Sequence, residues 1–267
     1  MKKIKYFYAV LLFMLSLGFQ SCFQDLDQDP PFDYPEQPTP PPLGADGQIF
    51  YLSFDKELEE YQSLMEAIPV GSPGFADGKT GKAYAGAANS YLTFNLSNLA
   101  APLGNEVTFG FWYKLNGNPN RAGIIVIGPP TEGAAANMQN NRTSGIRIFR
   151  ENDGDFQRIK ANIGDGNADT WLDGGATTNL NPATADWVYI ALVLRSLGAT
   201  LYLNGEAIAS SATFSGISWK GCDVMSIGSG APRFTEWNHN SDNSLIDELR
   251  IYNKALTEEQ IRANMTK

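Results

Sequence analysis

From residue 46 onward the chain alternates short apolar runs with Gly, Asn, Asp and Pro. Val107, Phe109, Phe111 and Tyr113 alternate with Thr108, Gly110, Trp112 and Lys114, the period-two pattern of a strand with two different faces. Ile146 and Ile148 alternate with Arg147 and Phe149 in the same way. Residues 48–54, 82–87, 91–94, 124–127, 156–163, 199–203, 206–209, 224–227 and 246–252 read as further strands. Residues 187–194 are apolar throughout, as expected of a strand buried on both faces. Asn204-Gly205 predicts a two-residue hairpin turn, whose two positions need φ > 0. A second turn is expected at Asn152-Asp153-Gly154 and a third at Asn89-Ser90. Two segments read as short helices, 56–66 from its helix formers and 257–265 from the capping box Thr257/Gln260 with Glu258 and Glu259 in the first turn. A dozen short strands with two peripheral helices predict an all-β fold, one antiparallel two-sheet sandwich over residues 46–267.

The first 45 residues have a different character. Lys2, Lys3 and Lys5 precede an apolar stretch from Tyr6 to Phe19 that is short for a membrane span, and Ser21-Cys22 follow, the pattern of a secretion signal over residues 1–21. Residues 22–45 carry Asp25, Asp27, Asp29, Asp33 and Glu36 with seven prolines and no basic residue, the composition of a solvated, extended tether reaching up to about 60 Å. Without residues 1–21 the formal charge moves from −9 to −12, which disfavours nucleic acid and anionic lipid surfaces as direct partners. Cys22 and Cys222 are the two cysteines of the chain, so no disulfide framework is expected, and Cys222 beside Trp219 and Val224 reads as a small buried hydrophobe.

Catalytic and metal motifs are weak. Glu151-Asn152-Asp153-Gly154-Asp155 places several carboxylates together, yet an expected turn there keeps them from sharing a sheet face. Asp247 and Glu248 are adjacent, so on a regular strand they point to opposite faces. Asp165-Gly166-Asn167-Ala168-Asp169 copies half of a calcium-binding loop, but Thr170 and Ala176 stand where Gly and a bidentate Glu are needed. One histidine, His239, offers little general acid–base capacity. Sugar recognition asks instead for an aromatic plate ringed by amides and carboxylates. Trp112 and Trp187 lie in apolar strands and read as core, Trp219 is ambiguous, and Trp171 and Trp237 lie in polar segments read as loops. The loop around Trp237 brings Glu236, Asn238 and His239, and Trp171 sits between Asp169 and Asp173. Should loops 137–143 and 230–243 meet, Asn140, Asn141 and Arg142 join the same surface.

Three stretches carry a family resemblance: Phe50-Tyr51-Leu52-Ser53-Phe54-Asp55, the hairpin Ala199-Thr200-Leu201-Tyr202-Leu203-Asn204-Gly205-Glu206, and Ser244-Leu245-Ile246-Asp247-Glu248-Leu249-Arg250-Ile251-Tyr252-Asn253-Lys254-Ala255-Leu256-Thr257. They resemble the opening strand, the central hairpin and the closing strand of laminin-G-like, concanavalin A-like jelly rolls. The resemblance implies a two-sheet jelly roll whose terminal strands pair. It also implies a structural calcium ion near those strands, with Asp55 and Asp247 at the matching positions and Asp77 able to join them. The bland alternative is that Asp55 caps a helix and Asp247 accepts sheet-edge hydrogen bonds. The N-terminal segment resembles the signals of bacterial lipoproteins, apart from Phe19 and Gln20, which implies a lipid anchor on Cys22 at the outer membrane or cell surface of a Gram-negative bacterium. The expected function is non-catalytic binding of a polysaccharide or other glycan by Trp237, Asn238, His239, Glu236, Trp171 and Arg142 in a polysaccharide-capture system. The alternatives are an interaction module of an outer-membrane protein complex and, behind it, a glycoside hydrolase.

Overall fold

A computed structural model describes residues 46–55 and 58–267 of the chain. The expected signal, the lipidation site Cys22 and the tether lie outside the described residues. Sixteen strands run in chain order as β1 (Gln48–Leu52), β2 (Ile68–Val70), β3 (Gly74–Asp77), β4 (Lys82–Ala85), β5 (Tyr91–Asn95), β6 (Val107–Lys114), β7 (Ala122–Ile127) and β8 (Ser144–Asp153), then β9 (Phe156–Asp165), β10 (Asp169–Asp173), β11 (Asn179–Leu180), β12 (Trp187–Leu194), β13 (Ala199–Leu203), β14 (Glu206–Ser211), β15 (Val224–Ile227) and β16 (Leu245–Tyr252). One α-helix, α1 (Glu258–Asn264), closes the described chain.

The strands form two sheets, and every pairing is antiparallel. The first has the order β14-β13-β12-β6-β16-β4-β3, with β1 also on β16. The second has the order β10-β9-β8-β7-β15-β5-β2, with β11 also on β9. This is the jelly-roll sandwich that the alternating pattern predicts. As expected, the terminal strands pair: Tyr51 lies opposite Arg250 and Leu52 opposite Leu249.

Alternation decides which side chains meet between the sheets. Phe109, Phe111 and Tyr113 of β6, Ile190, Leu192 and Leu194 of β12, Ile146 and Ile148 of β8 and Ile159 and Ile163 of β9 are fully buried in one core. At one end the core is polar. Arg150 reaches from the second sheet to Asp242 with Nη2···Oδ1 at 2.8 Å, and Tyr113 of the first sheet donates its hydroxyl to the other oxygen at 2.7 Å. A second apolar cluster covers the outer face of the first sheet, where Trp112, Tyr189, Tyr202 and Tyr252 lie under Leu256 and Ile261. Trp112 and the partly buried Trp187 thus belong to this outer cluster and not to the layer between the sheets. The expected capping box forms: Thr257 Oγ1 accepts from Gln260 N–H and Gln260 Oε1 accepts from Thr257 N–H.

Four strands depart from the sequence expectation, and so does one helix. β2, β3, β10 and β11 are not legible as apolar runs because each lies at the margin of its sheet, where one edge needs no apolar neighbour. Residues 58–66 are not helical. The buried Glu60 carboxylate accepts the amides of Gln62 and Ser63, which a helix would need, and Leu64 has φ 56. The turn after β8 is Gly154-Asp155, so Asn152 and Asp153 remain in the strand.

Candidate functional site

The outer face of the second sheet is built by alternation. β10 turns Leu172 into the core and Asp169, Trp171 and Asp173 outward. Register then sets Trp171 beside Asn162 of β9, Asn162 beside Arg147 of β8, and Arg147 beside Val126 of β7. In the next row Asp173 stands beside Lys160 and Lys160 beside Phe149. Trp171 lies on an edge strand and not in a loop, which is why it is 41 % exposed although held by a sheet.

The segment 230–243 lies flat across β7 and β8 because two glycines meet. A Cβ on Gly123 would stand 2.1 Å from Gly230 N, and one on Gly230 would stand 2.0 Å from His239 O. The segment buries Phe234 and His239 over Phe149: the Phe234 and His239 rings stack at 4.5 Å and both meet Phe149 edge-on. Trp237 then lies 6.0 Å from Trp171, centroid to centroid, with the rings inclined by 31°. Arg121 fixes the backbone there, Nη1 donating to Trp237 O at 2.9 Å.

The loops 137–143 and 230–243 do meet. Thr235 N–H donates to Gln139 O at 2.8 Å, Gln139 N–H donates to Thr235 Oγ1 at 3.1 Å, and the Asn140 amide donates to the Glu236 carboxylate. This brings the Arg142 guanidinium over both indoles, 4.7 Å from the Trp237 centroid and 5.4 Å from that of Trp171. Arg142 Nε also pairs with Asp169 Oδ2 at 2.8 Å, and Asn162 Nδ2 donates to that oxygen at 2.8 Å. Of the residues expected at a ligand site, Trp171, Trp237, Arg142 and Glu236 therefore converge on one surface. Asn238 is exposed beside Trp237 in the left-handed region, φ 61. His239 is buried without exposure, so it faces no solvent; its role here is to support the aromatic layer and hold Glu151. Phe149, Phe234 and Asn162 were not expected at the site from sequence, although the alternation of β8 already sets Phe149 on the face opposite Ile146 and Ile148.

Glu151, Asp153, Asp169 and Asp173 of this face are ion-paired, and Glu236 accepts the Asn140 amide. Glu151 meets His239 Nε2 and Lys160 Nζ, each at 3.0 Å; Asp173 shares Lys160; Asp153 pairs with Arg158. The His239 hydrogen bond, then Lys160, hold Glu151 at about 2 against its partial burial. Against a burial that pushes it up, the Gly175 amide and Lys160 keep Asp173 low, and Asn179 and Arg158 do the same for Asp153. Burial outweighs Glu151 and keeps His239 below its ordinary value. Glu151 and Asp153 do share a sheet face, contrary to the turn expected there, but each is locked in an ion pair and none is poised to donate a proton.

Asp247 and Glu248 also depart from expectation. The register of β16 against β6 slips between Asp247 and Arg250, with Glu248 at φ 53. This bulge turns both carboxylates to the outer face of the first sheet. Glu248 accepts the Tyr51 hydroxyl at 3.0 Å and pairs with Arg250. Asp247 is sealed, and burial raises its carboxyl to about 7 despite the amides of Thr80 and Lys79. Asp247 Oδ2 accepts Lys79 and Thr80 N–H at 2.7 and 3.0 Å, and Oδ1 accepts Glu248 N–H at 2.9 Å. Asp55 Oδ1 takes Lys82 N–H at 2.8 Å, and the exposed Asp77 pairs with Lys82 Nζ. These three aspartates hold the turn between β3 and β4 with oxygens that face N–H donors. Among the described residues no group of three or more Asp, Glu, His or Cys is gathered. Asp165 of the other candidate loop accepts the amides of Asn167 and Ala168, an ordinary Asx turn.

A cleft of about 300 Å³ lies elsewhere, lined by Leu96, Leu99, Leu103, Trp219 and Cys222. The Trp219 indole donates to Gly104 O at 2.9 Å, and burial pushes the Cys222 thiol up to about 11, an unreactive thiol.

The described fold has known counterparts. A family model described as the concanavalin A-like lectin/glucanases superfamily matches residues 86–262, more than half of the chain. The chain belongs to this family. No curated protein matches the chain. Among solved structures, this member of the superfamily is similar to domain 4 of AbnA, a GH43 extracellular arabinanase from Geobacillus stearothermophilus, in complex with arabinotriose. The identity is 20 %, covering 81 % of this chain and 97 % of that one, with a TM-score of 0.59. It is also similar to the binding domain of botulinum neurotoxin DC in complex with SialylT, at 12 % identity over 83 % of this chain and 51 % of that one, TM-score 0.57. A structure of botulinum neurotoxin type C, whose cell entry is dependent upon interaction with two ganglioside molecules, matches at 11 % identity over 83 % of this chain and 51 % of that one, TM-score 0.56. The chain spans about half the length of each toxin fragment. At these identities the likeness is one of fold.

Proposed function

We propose that this concanavalin A-like domain binds a glycan without cleaving it, on the outer face of the second sheet. The observation that carries the reading is the Trp171–Trp237 pair, half open to solvent, fixed from beneath by Phe149 and Phe234 and rimmed by Arg142, Glu236 and Asn238. Such a plate stacks on the apolar face of a sugar ring while the rim meets its hydroxyls. The sugar complexes of structural neighbours support a binding role. The carboxylate pairing supports the absence of hydrolysis, since a retaining or inverting mechanism needs a protonated acid across an open cleft from a second carboxylate. We place the domain at the cell surface of a Gram-negative bacterium, lipid-anchored through Cys22 on the acidic tether, where it serves polysaccharide capture. Affinity electrophoresis of the chain through gels containing neutral plant and microbial polysaccharides tests the reading. Retardation by at least one, abolished by Trp171→Ala, is expected; unretarded migration in every gel sinks it.

A second reading rests on a different surface. β2 and β3, at matching margins of the two sheets, expose Ile68, Val70 and Phe75, and the nearby Leu64 is 67 % exposed. An apolar edge of this kind suits a protein partner in a surface complex. Loss of a co-purifying membrane partner on Ile68→Ser with Phe75→Ser, with glycan binding intact, would favour that role for this edge.

A further inference from the structure

Beside the indole pair, a polar cleft of about 300 Å³ opens between loop 140–143 and the turn joining β9 to β10. Asn140, Asn141, Arg142, Thr143, Asn167 and Asp169 line it. Its volume is that of about ten waters, the bulk of one sugar ring. The cleft is not a separate site. Arg142 belongs to both, since its guanidinium lies over Trp171 and Trp237 while its Nε pairs with Asp169. Asp169 and Trp171 alternate on β10 and so share a face about 7 Å apart, within the span of two adjoining sugar units.

The polar groups of the cleft are held and only partly used. Asp169 is fixed through Oδ2 by Arg142 and by Asn162, which is itself fully buried, and no described residue bonds Oδ1. The Asn167 backbone is fixed by Asp165, and its exposed side-chain amide bonds no described residue. Asn140 Oδ1 is buried and its amide nitrogen donates to Glu236, so Asn140 serves as a wall of the cleft. A carboxylate oxygen and a free amide group on a rigid frame match the vicinal hydroxyls of a sugar, which both donate and accept.

Resting on the glycan reading above, we propose that this cleft is a second subsite, so that the domain reads at least two consecutive sugar units: one stacked on the indole pair, its neighbour hydrogen-bonded by Asp169 and Asn167. Specificity for the chain then lies in the cleft, because stacking tolerates any ring with an apolar face.

The test is a titration of the full chain with mono-, di-, tri- and hexasaccharides of arabinan, xylan, mannan and β-glucan, followed by tryptophan fluorescence and ligand-observed NMR. One series is expected to bind about tenfold tighter at two or three units than at one, the gain of two or so satisfied hydrogen bonds. Asn167→Ala and Asn167→Leu, at an exposed position away from Arg142, are expected to erase most of that gain while leaving the monosaccharide signal, whereas Trp171→Ala removes both. Affinity independent of chain length, or a length dependence untouched by both Asn167 variants, overturns the subsite and leaves the indole plate standing. Failure of every probe to bind the unaltered chain overturns the glycan reading and the subsite with it.

Discussion

Asp242→Ala is the most informative single perturbation of the frame that carries the site. Asp242 is 1 % and Arg150 0 % exposed at the side chain, with Nη2···Oδ1 at 2.8 Å. The carboxylate also accepts the Tyr113 hydroxyl at 2.7 Å and Ser244 N–H at 3.0 Å, while Arg150 donates further to Pro119 O and the Gln157 amide. Removing the acid strands a guanidinium in the core, a loss of about 3–5 kcal/mol, while the Tyr113 hydroxyl keeps Ser244 Oγ at 2.9 Å. For a domain of this size that is a fall of roughly 10–15 °C in Tm. Urea unfolding followed by tryptophan fluorescence and by circular dichroism gives the number. Arg150→Met with Asp242→Leu replaces the pair by apolar groups of similar length and is expected to recover most of the loss, to within about 2 kcal/mol of the unaltered chain. The reasoning fails if Asp242→Ala costs less than about 1 kcal/mol, or if the double variant loses the sum of the two single losses. Because Asp242 also closes the segment that presents Trp237, hydrogen exchange across residues 234–243 is expected to accelerate in Asp242→Ala and to remain slow in the double variant.

Other expectations follow from the same geometry. Trp171→Ala is expected to weaken glycan binding by about 2 kcal/mol, roughly thirtyfold, in isothermal titration with the retained polysaccharide, while an unfolding midpoint near that of the parent shows that the fold is kept. Glu151 has a folded pKa near 2 against 4.5 in the ordinary state, so its contribution is present above pH 4.5 and disappears as pH falls towards 2. That contribution is worth about 3 kcal/mol, and Glu151→Gln should flatten the stability profile between pH 4.5 and 2; an unchanged acid limb would refute the pairing. Thr257→Ala removes the helix cap and is expected to cost about 1 kcal/mol in urea unfolding. The helix lies over Trp112 and Tyr189, so the same variant should increase acrylamide quenching of tryptophan.

Much of the sandwich is legible in the alternation. Strands with a full apolar face, such as β6, β8 and β12, are visible because burial between sheets demands every second residue. The closing strand and its capping box are visible because turns and caps are local chemistry. The marginal strands are not, and this hides the nature of the site. Trp171 reads as a loop residue until β9 is known to lie beside it, since a strand at an edge needs no continuous apolar run. Segment 58–66 has helical composition, and only the buried Glu60 carboxylate decides against the helix.

By itself the sequence determined an all-β domain and a short roster of aromatic and amide residues of the kind that meets sugars. These follow from composition and from near neighbours, where the relevant forces act over a few residues. Only the tertiary structure decided that Trp171 and Trp237, 66 positions apart in sequence, share one surface with Arg142 between them and the cleft. It also decided that Asp247 and Glu248 share a face through a bulge, and that His239 is a buried support. The physical reason is common to all three. Register between strands, close approach of Gly123 to Gly230, and burial are properties of chain segments brought together by packing, and no local pattern encodes which segments will meet.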